Sequence, residues 1–140
     1  MTTIHKRIYR KLERLGVLGL VQAKVEASKS ESQGFMALHF DALHIEPSGA
    51  VVVALAHYFA QNGDQCADPD MEIRIRPVLK MAEALTFQQA IPPIYQQVYP
   101  EPGLVNLRLK RQLNQFLNMW LKNCIEQGHS FRLAEVVKAS

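Results

Sequence analysis

A chain of 140 residues, 48% hydrophobic and 21% charged, has the composition of an ordinary globular domain rather than a disordered chain. It is long enough to build one core without metal or disulfide staples. Its apolar runs, such as Ala50 to Ala56, fall short of the roughly 20 residues of a membrane-spanning helix. The basic start leads into no apolar stretch of signal-peptide type, so a cytoplasmic single domain over residues 1–140 with no membrane partner is expected. The net charge of +3 is uneven. Residues 1–16 carry Lys6, Arg7, Arg10, Lys11 and Arg14 against Glu13 alone, a local charge of +4, and the rest of the chain sums to −1.

Thr3 is placed to cap a first helix, the basic helix of residues 1–16, with Ile4, Ile8, Leu12 and Leu15 on one narrow apolar edge and Gly16 at its stop. Residues 20–99 read as an antiparallel sheet of about six strands. Val21, Ala23, Val25 and Ala27 alternate with polar residues, the period of a half-wet strand. From Phe35 to Ile45 the apolar parity slips between Phe40 and Leu43, which a bulge near Asp41 explains. Pro47-Ser48-Gly49 turns into Ala50 to Phe59, apolar on both faces and therefore central. A loop is expected from Gln61 to Pro69, then a charged-faced strand around Met71, Ile73 and Ile75, one strand over Met81 to Gln88, and a last one over Ile94 to Tyr99. Short connections between strands favour an antiparallel meander over parallel crossovers.

The C-terminal helix, residues 106–127, is the most regular pattern. Leu109, Leu113, Phe116, Leu117, Trp120, Leu121, Cys124 and Ile125 recur at steps of three and four, with Asn106 as the cap. The fold class is therefore α+β, with this helix packed on one sheet face. A tail, 129–140, follows Gly128, and its Phe131 to Val137 segment fits a strand, a short helix or an open coil.

The segments His57 to Asp64, Asp68 to Glu72, Ala82 to Thr86 and Leu107 to Gly128 resemble the uncharacterised bacterial families that include the YqiB-like proteins. From about Met71 onward the order of strands and helix is similar to that of YqiB-like chains. The resemblance implies a cytoplasmic α+β domain of unknown function and supplies no catalytic residue.

Three groups of residues carry chemistry. His57, Asp64, Cys66, Asp68 and Asp70 lie within one short segment and include acid, base and ligand types. Asn62-Gly63-Asp64 and Asp68-Pro69-Asp70 are also ordinary turn chemistry, and the spacing is not that of a calcium hand. His39 and His44 flank Asp41, but their parity places them on opposite faces unless a bulge intervenes. Arg108, Lys110 and Arg111 crowd the first turn of the last helix, where the dipole favours acids, and so mark a candidate anion site. Glu72, Glu83 or Glu101 are alternative partners for those cations.

Two lone cysteines, Cys66 and Cys124, show no paired or metal-ligand spacing, so no cofactor, metal or disulfide is expected. Nucleophile-elbow and phosphate-loop glycine patterns are missing from the sequence. The reading is a non-enzymatic binding or regulatory module. It engages an anion, a nucleic acid, another macromolecule or a second copy of itself. The alternative is a small enzyme or metal-binding protein centred on His57, Asp64, Asp68 and Asp70.

Overall fold

The computed structural model describes residues 2–133. Helix α1 (Ile4–Leu15) begins at Thr3, whose side chain accepts the Lys6 N–H, and stops at Gly16, which adopts φ +91° and returns its N–H to Leu12 and Glu13. The chain then makes a short second helix, α2 (Val17–Gln22), which buries Val17, Leu18 and Leu20. The expected strand over Val21 to Ala27 is thus corrected. The left-handed turn at Gly16 folds the apolar run back under the core, and Lys24 at φ +57° ends it. Of that strand only its end remains, as part of β1 (Ala27–Ser30).

Strands β2 (Leu38–Ile45), β3 (Val51–Gln61) and β4 (Asp64–Arg76) pair antiparallel. The parity slip in β2 is a bulge between Ala42 and His44, just beyond Asp41. The loop expected at Gln61 to Pro69 is instead a long hairpin. Asn62 and Gly63, both at positive φ, form a two-residue turn that sets Gln61 against Asp64, the geometry that Asn-Gly favours. A register shift then falls between Ala56 and Tyr58, opposite Asp68-Pro69, where proline has no N–H for the ladder.

The single strand expected over Met81 to Gln88 is two, β5 (Met81–Ala84) and β6 (Thr86–Gln89). The Thr86 hydroxyl takes the Glu72 N–H at 3.1 Å, which interrupts the backbone ladder between them. The last strand is β7 (Ile94–Gln97), completing a seven-stranded sheet ordered β1-β2-β3-β4-β6-β7 with β5 also paired to β4.

Helix α3 (Leu107–Glu126) and α1 lie together over one face of the sheet. They run parallel: Ile4 and His5 neighbour Leu107 to Gln115, Lys11 meets Asn118, and Arg14 lies by Ile125 and Glu126. Beneath them, Leu38, Phe40, Val53, Leu55, Met71, Ile73 and Ile75 form the floor of the core. All eight apolar stripe residues of α3 join that core. So does buried Asn114, which accepts the Ala84 N–H at 2.8 Å and donates to the Lys110 carbonyl at 2.8 Å. The chain after α3 returns to α1, where the Phe131 N–H donates to the Leu15 carbonyl. Of the tail, 134–140 lies outside the described residues.

Gly16 carries two constraints at once, a positive φ and a Cβ direction that points into the Phe131 carbonyl oxygen. Gly16→Ala is therefore expected to cost more than the roughly 1 kcal/mol of a glycine-to-alanine change at positive φ alone. Urea unfolding checks this, with Gly49→Ala as control, since Gly49 also has positive φ but open space around its Cβ.

Candidate functional site

The periodicity that buries Ile8, Leu12 and Leu15 of α1 leaves Lys6, Arg7, Arg10 and Arg14 exposed. Two shallow grooves border the exposed cations of this helix. One, toward α3, is lined by Arg7, Arg10, Lys11, Arg14, Lys122, Ile125 and Glu126 and encloses about 640 Å³. The other is lined by Lys6, Tyr9, Arg10, Glu13, Leu79 and Lys80. Arg10 borders both and so stands on the crest between them.

Seven cations thus surround one ridge that holds two acids, Glu13 and Glu126. Among the described residues every ion pair lies elsewhere. Lys11 donates to Asn118 Oδ1 at 2.8 Å, and its ammonium is held below the usual lysine range by burial and by the neighbouring charges of Arg7 and Lys122. Like charges kept this close repel one another, and no ion pair among the described residues relieves that repulsion here.

At the start of α3, Asn106 caps the helix by accepting the Leu109 N–H at 3.0 Å. The three cations there do not converge on one point. Lys110 turns to the Tyr99 hydroxyl at 3.3 Å and lies against the Tyr99 ring, while Arg108 and Arg111 are exposed. Arg111 borders a small hollow with Ile4, His5, Leu107 and Lys110, which Arg108 does not line.

Lys110 belongs to a network centred on Glu83, which is 5% exposed. Glu83 accepts from Arg76 at 2.5 Å and from the Tyr99 hydroxyl at 2.5 Å, with Arg74 at 3.6 Å. Arg74 in turn forms a two-pronged pair with Glu46 at 2.7 and 3.0 Å. Burial opposes ionisation of Glu83, but the hydrogen bonds from Tyr99 and Arg76 and the charges of Lys110 and Arg74 outweigh it and hold the carboxyl below the usual range. An internal carboxylate therefore accounts for the cation at position 110.

The His57 to Asp70 cluster does not converge. His57 is buried toward α3, where its ring meets Trp120 edge-on and Nε2 is 3.7 Å from Cys124 Sγ. Its Nδ1 donates to the Ala37 carbonyl at 2.9 Å. Asp64 and Asp68 are exposed along the hairpin, Cys66 is half-buried there, and Asp70 falls on the sheet face away from the helices. Burial, with the nearby charges of Glu72 and Asp41, raises the Asp70 carboxyl. The β2 bulge does bring His39, Asp41 and His44 onto one face. Their partners Ala56, Ala54 and Val52 nevertheless set the two histidines four residues apart on β3, about 13 Å. Among the described residues no three His, Cys, Asp or Glu side chains are disposed to hold a metal ion, and burial pushes the Cys124 thiol up to about 12.

Sequence reasoning missed Lys80 and Lys122, which flank α1 in space but stand alone in the sequence. It also missed His129, buried beside His57 and bonded through Nδ1 to Ser30 Oγ at 3.1 Å.

These features define an α+β domain whose concentrated charge is a helical ridge. The family model described as a domain of unknown function, DUF6908, matches residues 6–130, and the chain belongs to that family. No curated protein and no solved structure matches it. None of its described helices is long and apolar enough to cross a membrane.

Glu83→Ala is expected to lose on the order of 3 kcal/mol, because it leaves Arg76, Tyr99 and Lys110 around an empty site; chemical unfolding measures it. His129 is held below its ordinary value of about 6.5 by burial and by His57, against the opposing pull of the Met36 and Ser30 backbone carbonyls, which favour the protonated ring. On acidification the unfolded chain binds this proton first. The contribution is thus intact above about pH 6.5 and declines below it. Stability measured between pH 7 and pH 5 should fall less steeply in His129→Gln than in the parent.

Proposed function

We propose that the protein is a non-enzymatic binding module that engages an anionic macromolecule through the exposed face of α1 and its flanking lysines. The observation that carries this reading is the groove where Arg7, Arg10, Lys11, Arg14 and Lys122 meet one acid, Glu126. An anion there gains attraction from several cations and relieves their mutual repulsion, a gain that weakens with salt. Arg108, Lys110 and Arg111 are less suited, since Lys110 is occupied by Tyr99 and Glu83 and Arg108 stands outside the hollow that Lys110 and Arg111 line. A cytoplasmic setting and kinship with YqiB-like chains are part of the proposal and add no reaction to it.

Binding of long-chain polyphosphate, followed by calorimetry, tests it. Affinity should fall steeply as salt rises from 50 to 200 mM, in the manner of counterion release. Changing Arg7, Arg10 and Arg14 together to Glu should abolish binding, whereas the Arg108→Glu, Arg111→Glu double variant should retain it. No binding at low salt, or equal binding by the triple variant, would refute the proposal.

A further inference from the structure

We infer that the anionic partner is duplex DNA of B form, straddled by the α1 ridge so that cations on its two flanks meet phosphates of the two strands. This rests on the polyanion reading above and goes beyond it.

The arrangement of charge points to two backbones rather than one. Lys6 and Lys80 lie on one side of the Arg10 crest, and Lys11, Arg14 and Lys122 on the other. A single strand threading one channel would leave the second flank unmatched, whereas a duplex presents phosphates on both sides of a groove. A helix fits the major groove of B-form DNA, about 12 Å wide, while that of A-form RNA is too narrow to admit side chains. Arg7 to Arg14 advance roughly 10 Å along the helix, the axial rise of about three nucleotides of one strand.

The chemistry of the surface agrees with this choice. Proteins that hold single strands offer aromatic faces for stacking. The aromatic ring beside these grooves, Tyr9, is only 8% exposed. A membrane surface is poorly served, because Ile8, Leu12 and Leu15 of the apolar edge of α1 are fully buried in the core. Val78, 95% exposed, and Leu79 beside Lys80 are two aliphatic side chains without an amphipathic face to support them. Asp41, Asp70 and Glu72 stand on the other side of the sheet, an arrangement that favours approach of a polyanion from the α1 side. Contacts made to phosphates carry little sequence information, and binding should depend weakly on base sequence.

Fluorescence anisotropy decides the matter, using a 20-base-pair DNA duplex, its single strand, the RNA duplex of the same sequence and phosphatidylserine vesicles. The expected order is DNA duplex tightest by at least about tenfold, with a salt slope near −4 for four or five phosphate contacts. Lys80→Glu and Lys122→Glu, on opposite flanks, should each weaken duplex binding and reduce that slope by about one. Equal or tighter binding of the single strand, the RNA duplex or the vesicles would overturn the inference while leaving the polyanion reading standing. So would insensitivity to Lys80→Glu or Lys122→Glu. Failure of every polyanion to bind, polyphosphate included, would instead overturn the reading beneath it.

Discussion

Glu83 places an ionised carboxylate where four elements meet. It sits on β5, receives Arg76 and Arg74 from β4, takes the Tyr99 hydroxyl from the segment after β7, and lies near Lys110 in the first turn of α3. A charge so enclosed is tolerated only when hydrogen bonds and opposite charges surround it. The partners therefore have to be in place together, which fixes how α3 enters the core relative to β4 and β5. Asn114, one turn further along α3, holds the same junction from the core side by accepting the Ala84 N–H.

From this junction follows a sheet with two different faces. The side under α1 and α3 is filled by aliphatic residues. The other side is roofed by side chains rather than by a helix: the Arg74–Glu46 pair joins β4 to the turn after β2, and Val52, Ala54 and Ala56 of β3 are buried beneath such longer neighbours. Small residues on the central strand let charged ones on either side close over it. On that face Arg74, Glu46, Arg76 and Glu83 pair with one another, whereas the α1 cations take part in none of the ion pairs among the described residues.

Much of the architecture was readable in the sequence because it rests on local periodicity. The α3 stripe, Thr3 and Asn106 as caps, Gly16 as a stop and the bulge in β2 all express backbone geometry that neighbouring residues dictate. The failures came where tertiary pairing overrode a local pattern. Val21 to Ala27 alternates like a strand, yet the reversal at Gly16 commits its beginning to a helix. Asn62-Gly63 was recognisable as turn chemistry, but the polar residues after it become strand because β3 offers them a ladder. The chemistry of the site was legible only in part. Five cations of α1 lie close in sequence, whereas Lys80, Lys122 and the carboxylate that claims Lys110 are brought together by folding.

The central claim is a division of labour among the cations: Lys110, Arg74 and Arg76 hold the fold, and the α1 ridge binds. Amide chemical-shift mapping during titration with duplex DNA tests it most directly. Shifts confined to α1, Lys80 and the Lys122 turn of α3 are the predicted result. Shifts centred on Arg108 to Arg111, or on the sheet face that carries Asp70 and Glu72, would contradict it.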